Sequence, residues 1–310
     1  MKLVLTFHRV WPAEQIQFNN INKLKNTLIS THYLNTLIQE LKEAKYNFIT
    51  CNELRHYHDA DNVVALTFDD GYYDNFHYAF PILLKHNVTA TFFPVVEPCW
   101  HNTCLPINIY YHCIDLFIPH PEERKKYING SIKKQFLNKP YEKQLEFIEN
   151  TFPRIERNDS DRYMSPNHIK QLHDAGMEIG SHGLTHTSFH NVFMNKNKCL
   201  YEFKESAKKL ESCINAPIFS FCFPYGHYKK QHMKWLSEAG YRQAILTIPY
   251  EKPEHSLDYY FRCNAKEGTT LIEFEQYFNS PKPFSIKNKK EKILALLFNI
   301  KVYLFQKLNY

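Results

Sequence analysis

The grouping best suited to chemistry is Asp69-Asp70, which closes the apolar run at 63–68 and is followed by Gly71. Two carboxylates at the end of a buried strand are costly to place unless something uses their charge. One can bind a metal ion while the other moves a proton. A second grouping, His182 and His186, follows Gly180 and brackets Gly183. Imidazoles four residues apart can converge on one ion, and the glycine between them favours a turn over a regular helix. Two histidines and one carboxylate suit zinc and leave positions for water and substrate. Non-haem iron enzymes use the same ligand types, so the donor set alone does not name the reaction.

The elements that must hold these residues alternate between strand and helix. Short apolar or β-rich runs predict strands over 3–8, 47–50, 63–68, 88–93, 177–180, 218–223, 241–248 and 259–263. Between them, Leu34, Leu37, Ile38 and Leu41 recur at helical spacing, with Thr31 as N-cap. Further helices are expected over 75–85, bent by Pro81, then over 166–175 behind a Ser165 cap, and over 195–212, 228–239 and 270–278. Repeated βα units imply parallel strands in a barrel or an open sheet. Residues 99–158 carry no clear strand and read as a helical insertion, with solvent-facing helices at 122–126 and 141–150. Beyond a linker at 280–283, residues 284–310 read as a basic amphipathic helix.

Three segments occur in a telling order: Thr67-Phe68-Asp69-Asp70-Gly71, His182-Gly183-Leu184-Thr185-His186 and Phe221-Cys222-Phe223-Pro224-Tyr225-Gly226. Together they resemble the polysaccharide deacetylase, or NodB-homology, family of carbohydrate esterases, over about residues 1–280. The resemblance implies an α/β fold, a distorted (β/α) barrel, with one catalytic divalent metal, zinc being the expected one. Carried over by motif, Asp70, His182 and His186 hold the metal and Asp69 is the general base. The backbone N–H of Tyr225 steadies the oxyanion. Many members place a general-acid histidine in a Leu-x-His motif late in the domain, and none follows Tyr241 here. The N-terminal Leu5-Thr6-Phe7-His8-Arg9-Val10 instead resembles the exopolysaccharide, poly-N-acetylglucosamine-deacetylase-like branch, which assigns His8 as the acid. Many members also carry an arginine where this chain has Cys222, and Arg262 is the candidate replacement that orients Asp69.

The implied activity is metal-dependent removal of an N-acetyl group from an N-acetylhexosamine in a glycan or glycan precursor. Two alternatives are a catalytically silent glycan-binding or assembly protein on the same fold, and a non-haem iron enzyme with the same ligands. Composition agrees with a folded enzyme: of 310 residues 15% are aromatic, and only 8 are glycine. A net charge of +6 without a clustered basic face excludes no partner outright, but it is no nucleic-acid signature. Eight cysteines without a CxxC pair argue for reduced thiols rather than a zinc ribbon. No signal-peptide core or membrane-spanning run is recognisable. The expectation is therefore a cytoplasmic protein whose C-terminal helix docks on the barrel, makes peripheral membrane contact or mediates self-association.

Overall fold

The computed structural model describes residues 1–16, 27–154, 161–247 and 257–279. The described strands are β1 (Lys2–Phe7), β2 (Arg9–Trp11), β3 (Leu28–Ser30), β4 (Asn47–Phe48), β5 (Val63–Asp70), β6 (Thr91–Pro94), β7 (Glu178–Ile179), β8 (Ser220–Cys222), β9 (Gln243–Leu246), β10 (Asp258–Phe261) and β11 (Cys263–Asn264). Every pairing between them is parallel. One sheet runs β11-β1-β5-β6-β7, with β4 on the start of β5, and another runs β10-β9-β8. They join twice. A parallel bridge between Ser181 and Phe221 links β7 to β8, and β10 continues through Arg262 into β11, which lies on β1. Pairing thus returns to its start, as a distorted (β/α) barrel requires.

Strand alternation divides the core in two. Phe7, Phe68 and Phe92 stand side by side in register, their rings 5.1 and 4.9 Å apart, and pack toward the helices. Residues of the opposite parity, Val4, Ala65, Phe93, Cys222 and Ile245, form a separate interior cluster. Thr6, Thr67 and Asp69 extend the same inward rows, with the Thr67 hydroxyl 3.2 Å from that of Thr6. His8, one residue past Phe7, inherits the inward parity of Asp69.

Several elements differ from the expectation for identifiable reasons. The Thr31–Glu43 helix buries Leu34, Leu37, Ile38 and Leu41, but its cap is Ser30, whose Oγ accepts the Tyr33 N–H at 2.9 Å. Thr31 is already helical. The 75–85 segment is a π turn, Asn75–Ala79, followed by an α-helix, Phe80–His86, that starts with Pro81 near its N-terminus. A proline there removes a donor and widens the turn before it. The strand expected over 88–93 begins only at Thr91, that over 259–263 is interrupted at Arg262, and the short β2–β3 pair was not foreseen.

The insertion holds more helix than its polar stretches suggested: Pro106–Phe117, Pro121–Ile128, Ser131–Leu137 and Tyr141–Thr151. The first is apolar on nearly every side and is buried from Pro106 to Tyr111, so it shows no amphipathic stripe. Nor is Tyr141–Thr151 wholly solvent-facing, since Gln144 and Ile148 are buried. All eight cysteines are free thiols. No helix among the described residues is long and apolar enough to cross a membrane, and the helix expected at 284–310 lies outside them.

Candidate active site

Asp69 points into the barrel mouth and is 1% exposed. Arg262, also buried, grips it with two parallel bonds: Nη1 donates to Oδ1 at 2.7 Å and Nη2 donates to Oδ2. Its Nη2 also lies 2.7 Å from the Cys222 sulfur, and its Nη1 reaches the Thr67 hydroxyl at 3.3 Å. Burial pushes the Asp69 carboxyl up, but Arg262 and then His182 outweigh it and hold the group below the ordinary carboxylate range. His8 Nε2 stands 3.9 Å from Asp69 Oδ2. Next to His8, the buried Arg9 is fixed by Asp74 at 2.5 Å and Asp161 at 2.6 Å, and it lies over the Tyr72 ring at 4.1 Å. That anchor sets where the end of β1 points.

Asp70, His182 and His186 converge beside this pair. His182 Nε2 is 3.4 Å and His186 Nε2 3.2 Å from Asp70 Oδ1. The carbonyl of Cys222 can only accept, so at 2.8 Å it fixes the proton on His182 Nδ1 and frees the Nε2 lone pair for the Asp70 side. His186 Nδ1 lies 3.1 Å from the Tyr225 hydroxyl, which accepts when that nitrogen carries the proton. In that arrangement a carboxylate oxygen and two nitrogen lone pairs face one another in a buried space, an unfavourable set unless positive charge sits among them. Burial acts to raise Asp70, but when the Nε2 atoms carry protons instead, their bonds from His182 and His186 prevail and keep the carboxyl well below the usual range. A carboxylate and two imidazoles within 4.8 Å of one another fit a divalent metal.

Three of these positions sit in the left-handed region: Asp70 (φ 69°), His186 (φ 61°) and Tyr225 (φ 60°). Neighbours on a strand normally point to opposite faces, so Asp69 and Asp70 can share a site only if the chain leaves strand geometry between them. The departure continues at Gly71, where a Cβ would stand 2.9 Å from the Cys99 sulfur and 3.0 Å from Pro94 Cβ. Under the histidine loop, the Lys196–Ile214 helix supplies Glu202, which accepts the N–H groups of Leu184 at 2.8 Å and Thr185 at 3.1 Å. Glu202 is the positioning group that motif reading missed. Its spacing from the loop follows no local pattern.

A cleft of about 780 Å³ opens over the site. The barrel lines it with His8, Asp69, Asp70, His182, His186, Tyr225 and Arg262, so every candidate residue read from the sequence meets in one place. The insertion supplies the opposite wall, including Tyr111 and Lys133.

The sequence profile of the polysaccharide deacetylase family matches residues 56–244. The chain belongs to that family. The match contains Asp69, Asp70, His182, His186 and Tyr225 but neither His8 nor Arg262. A curated relative, the putative polysaccharide deacetylase YxkH of Bacillus subtilis, is 18% identical over 72% of this chain, which spans 58% of that protein's length. The Streptococcus pyogenes deacetylase PplD in complex with acetate superposes with a TM-score of 0.60 at 16% identity, covering 88% of this chain and 96% of that one. IcaB from Ammonifex degensii gives 0.57 at 16% identity, covering 89% and 94%. A de-N-acetylase from Aggregatibacter actinomycetemcomitans gives 0.58 at 17%, covering 89% and 99%. At these identities the likeness to the solved structures is one of fold.

Proposed function

We propose that this family member is a metal-dependent N-deacetylase acting on an N-acetylhexosamine of a glycan or glycan precursor. The observation that carries the reading is the ionised, arginine-clamped Asp69 set directly beside the Asp70, His182 and His186 donor cluster. Those three residues would hold the ion, for which zinc is the expected occupant. When bound, such an ion lowers the pKa of water to about 7 and polarises a carbonyl oxygen.

The chain's own residues supply the rest. Asp69 takes a proton from the attacking water, and Arg262 fixes the direction in which the carboxylate faces. The water oxygen bonds to the acetamide carbon, and the carbonyl oxygen becomes an oxyanion that the Tyr225 N–H meets. His8, whose Nε2 stands 3.9 Å from Asp69 Oδ2, delivers a proton to the amide nitrogen as the C–N bond breaks. Water and the acetamide are consumed, and acetate and the free amino sugar result. Support for nitrogen rather than oxygen as the leaving atom comes from the fold shared with the de-N-acetylase.

The test is acetate release from a panel of N-acetylated glycans by metal-loaded protein, before and after chelation. The reading expects release that stops on chelation and returns with the metal. No release from any member of the panel would overturn it.

A further inference from the structure

The insertion brings an unbalanced charge to the cleft. Lys133, on the Ser131–Leu137 helix, lines the cleft with Lys134 and holds its ammonium 5.5 Å from the Tyr111 ring centroid. Three other cations of the insertion have carboxylate partners: Arg124 with Asp115 at 2.9 Å, Lys125 with Glu122 at 2.8 Å, Lys143 with Glu146 at 2.7 Å. Lys133 ion-pairs with no carboxylate among the described residues. The cleft's own acids are committed elsewhere, Asp69 to Arg262 and Asp70 to the two histidines.

The position is close to the chemistry. Tyr111, Lys133, Tyr225 and His227 line the same cleft, and the Lys133 charge helps to lower His227, two residues past Tyr225 on the same turn. Burial pulls the Lys133 ammonium down to about 8, the mark of a cation that has lost water without gaining an anion. Asn129 and Asn138 line the same wall and offer neutral amide donors. A lysine in this setting acts as a point charge for phosphate or carboxylate oxygens.

We propose that Lys133, with Lys134 beside it, forms a subsite for an anionic group, phosphate or carboxylate, carried by the sugar chain that enters the cleft. The assignment of the carrier as a sugar chain rests on the deacetylase reading, whereas the anion site stands on the cleft geometry. The substrate class is then an N-acetylhexosamine joined to a diphosphate or next to a uronic acid, rather than a neutral homopolymer.

Two measurements separate the two readings. The first is calorimetric titration of the metal-loaded protein with inorganic pyrophosphate and with glucuronate. Binding of at least one anion should weaken at least tenfold in Lys133→Met and persist in Lys133→Arg, with the melting temperature of both variants checked against wild type. The tighter anion identifies the source of the charge. Equal binding by wild type and Lys133→Met, or binding of neither anion at millimolar concentration, overturns the subsite. The second is acetate release from a nucleoside-diphosphate-linked N-acetylglucosamine, a uronate-containing oligomer and a neutral N-acetylglucosamine oligomer. Lys133→Met should raise KM at least tenfold more for a charged substrate than for the neutral oligomer. An equal KM change for charged and neutral substrates also overturns it. If no substrate releases acetate while Lys133-dependent anion binding persists, the deacetylase reading fails and the subsite stands.

Discussion

Asp69 and Arg262 are 193 residues apart in sequence and share two hydrogen bonds inside the barrel. Many family members place an arginine at the position of Cys222, and here the Cys222 sulfur touches the Arg262 guanidinium instead. A small residue on β8 leaves the interior space that the long side chain from the β10–β11 junction fills. The planar fork matters because it locks both carboxylate oxygens, which a lysine cannot do. Arg262→Lys should therefore lower kcat on the order of tenfold or more while metal content stays at the wild-type level. A variant with wild-type kcat would remove Arg262 from the account. Arg262→Ala should also destabilise the fold by about 3–5 kcal/mol, because a buried carboxylate loses its partner. Chemical denaturation measures that directly.

At the scale of elements, the site depends on how β5 ends. The turn that sends Asp70 to the metal donors while Asp69 stays in the barrel needs left-handed backbone at Asp70 and Gly71. Gly71→Ala meets both the left-handed penalty of about 1–2 kcal/mol and a clash with Cys99 and Pro94. A loss of at least about 2 kcal/mol in denaturant unfolding is expected, and unchanged stability would show that the turn is not strained. The Lys230–Glu238 helix behind the Tyr225 turn carries its own pH dependence. His232 is fully buried, and its Nδ1 accepts the Lys229 N–H at 3.0 Å, so the folded ring is neutral. Burial, then Lys229 and His190, lower its pKa to about 3. The unfolded chain, at about 6.5, takes up the proton first. Its contribution is therefore complete above pH ~6.5 and declines as the pH falls toward 3, by about 1.4 kcal/mol per unit for one proton. Between pH 6 and 4 the wild type should lose about 2 kcal/mol more than His232→Gln. Parallel curves would contradict the assignment.

For the whole molecule, the sequence reading succeeded where short-range pattern and chemistry coincide. Alternating runs placed the main strands, and the motifs named the residues that the barrel gathers in one cleft. Arg262 was visible because it ended another strand-like run in a chain that has Cys222 at the usual arginine position. What stayed hidden depends on contacts distant in the chain. Glu202 props the histidine loop from another helix, the Cys222 carbonyl sets the His182 tautomer, and the mostly buried Pro106–Phe117 helix shows no periodicity to read. Lys133 lies in the insertion, where no motif marked it, and faces the cleft.

The family assignment leaves one claim central: that Asp69 is the base next to the metal donors. The most direct measurement is acetate release from an N-acetylglucosamine oligomer by metal-loaded Asp69→Asn, with folding checked by circular dichroism and metal content by mass spectrometry. The account predicts a folded, metal-containing protein whose rate falls on the order of 10²–10⁴-fold. Acetate release equal to that of the wild type would contradict it.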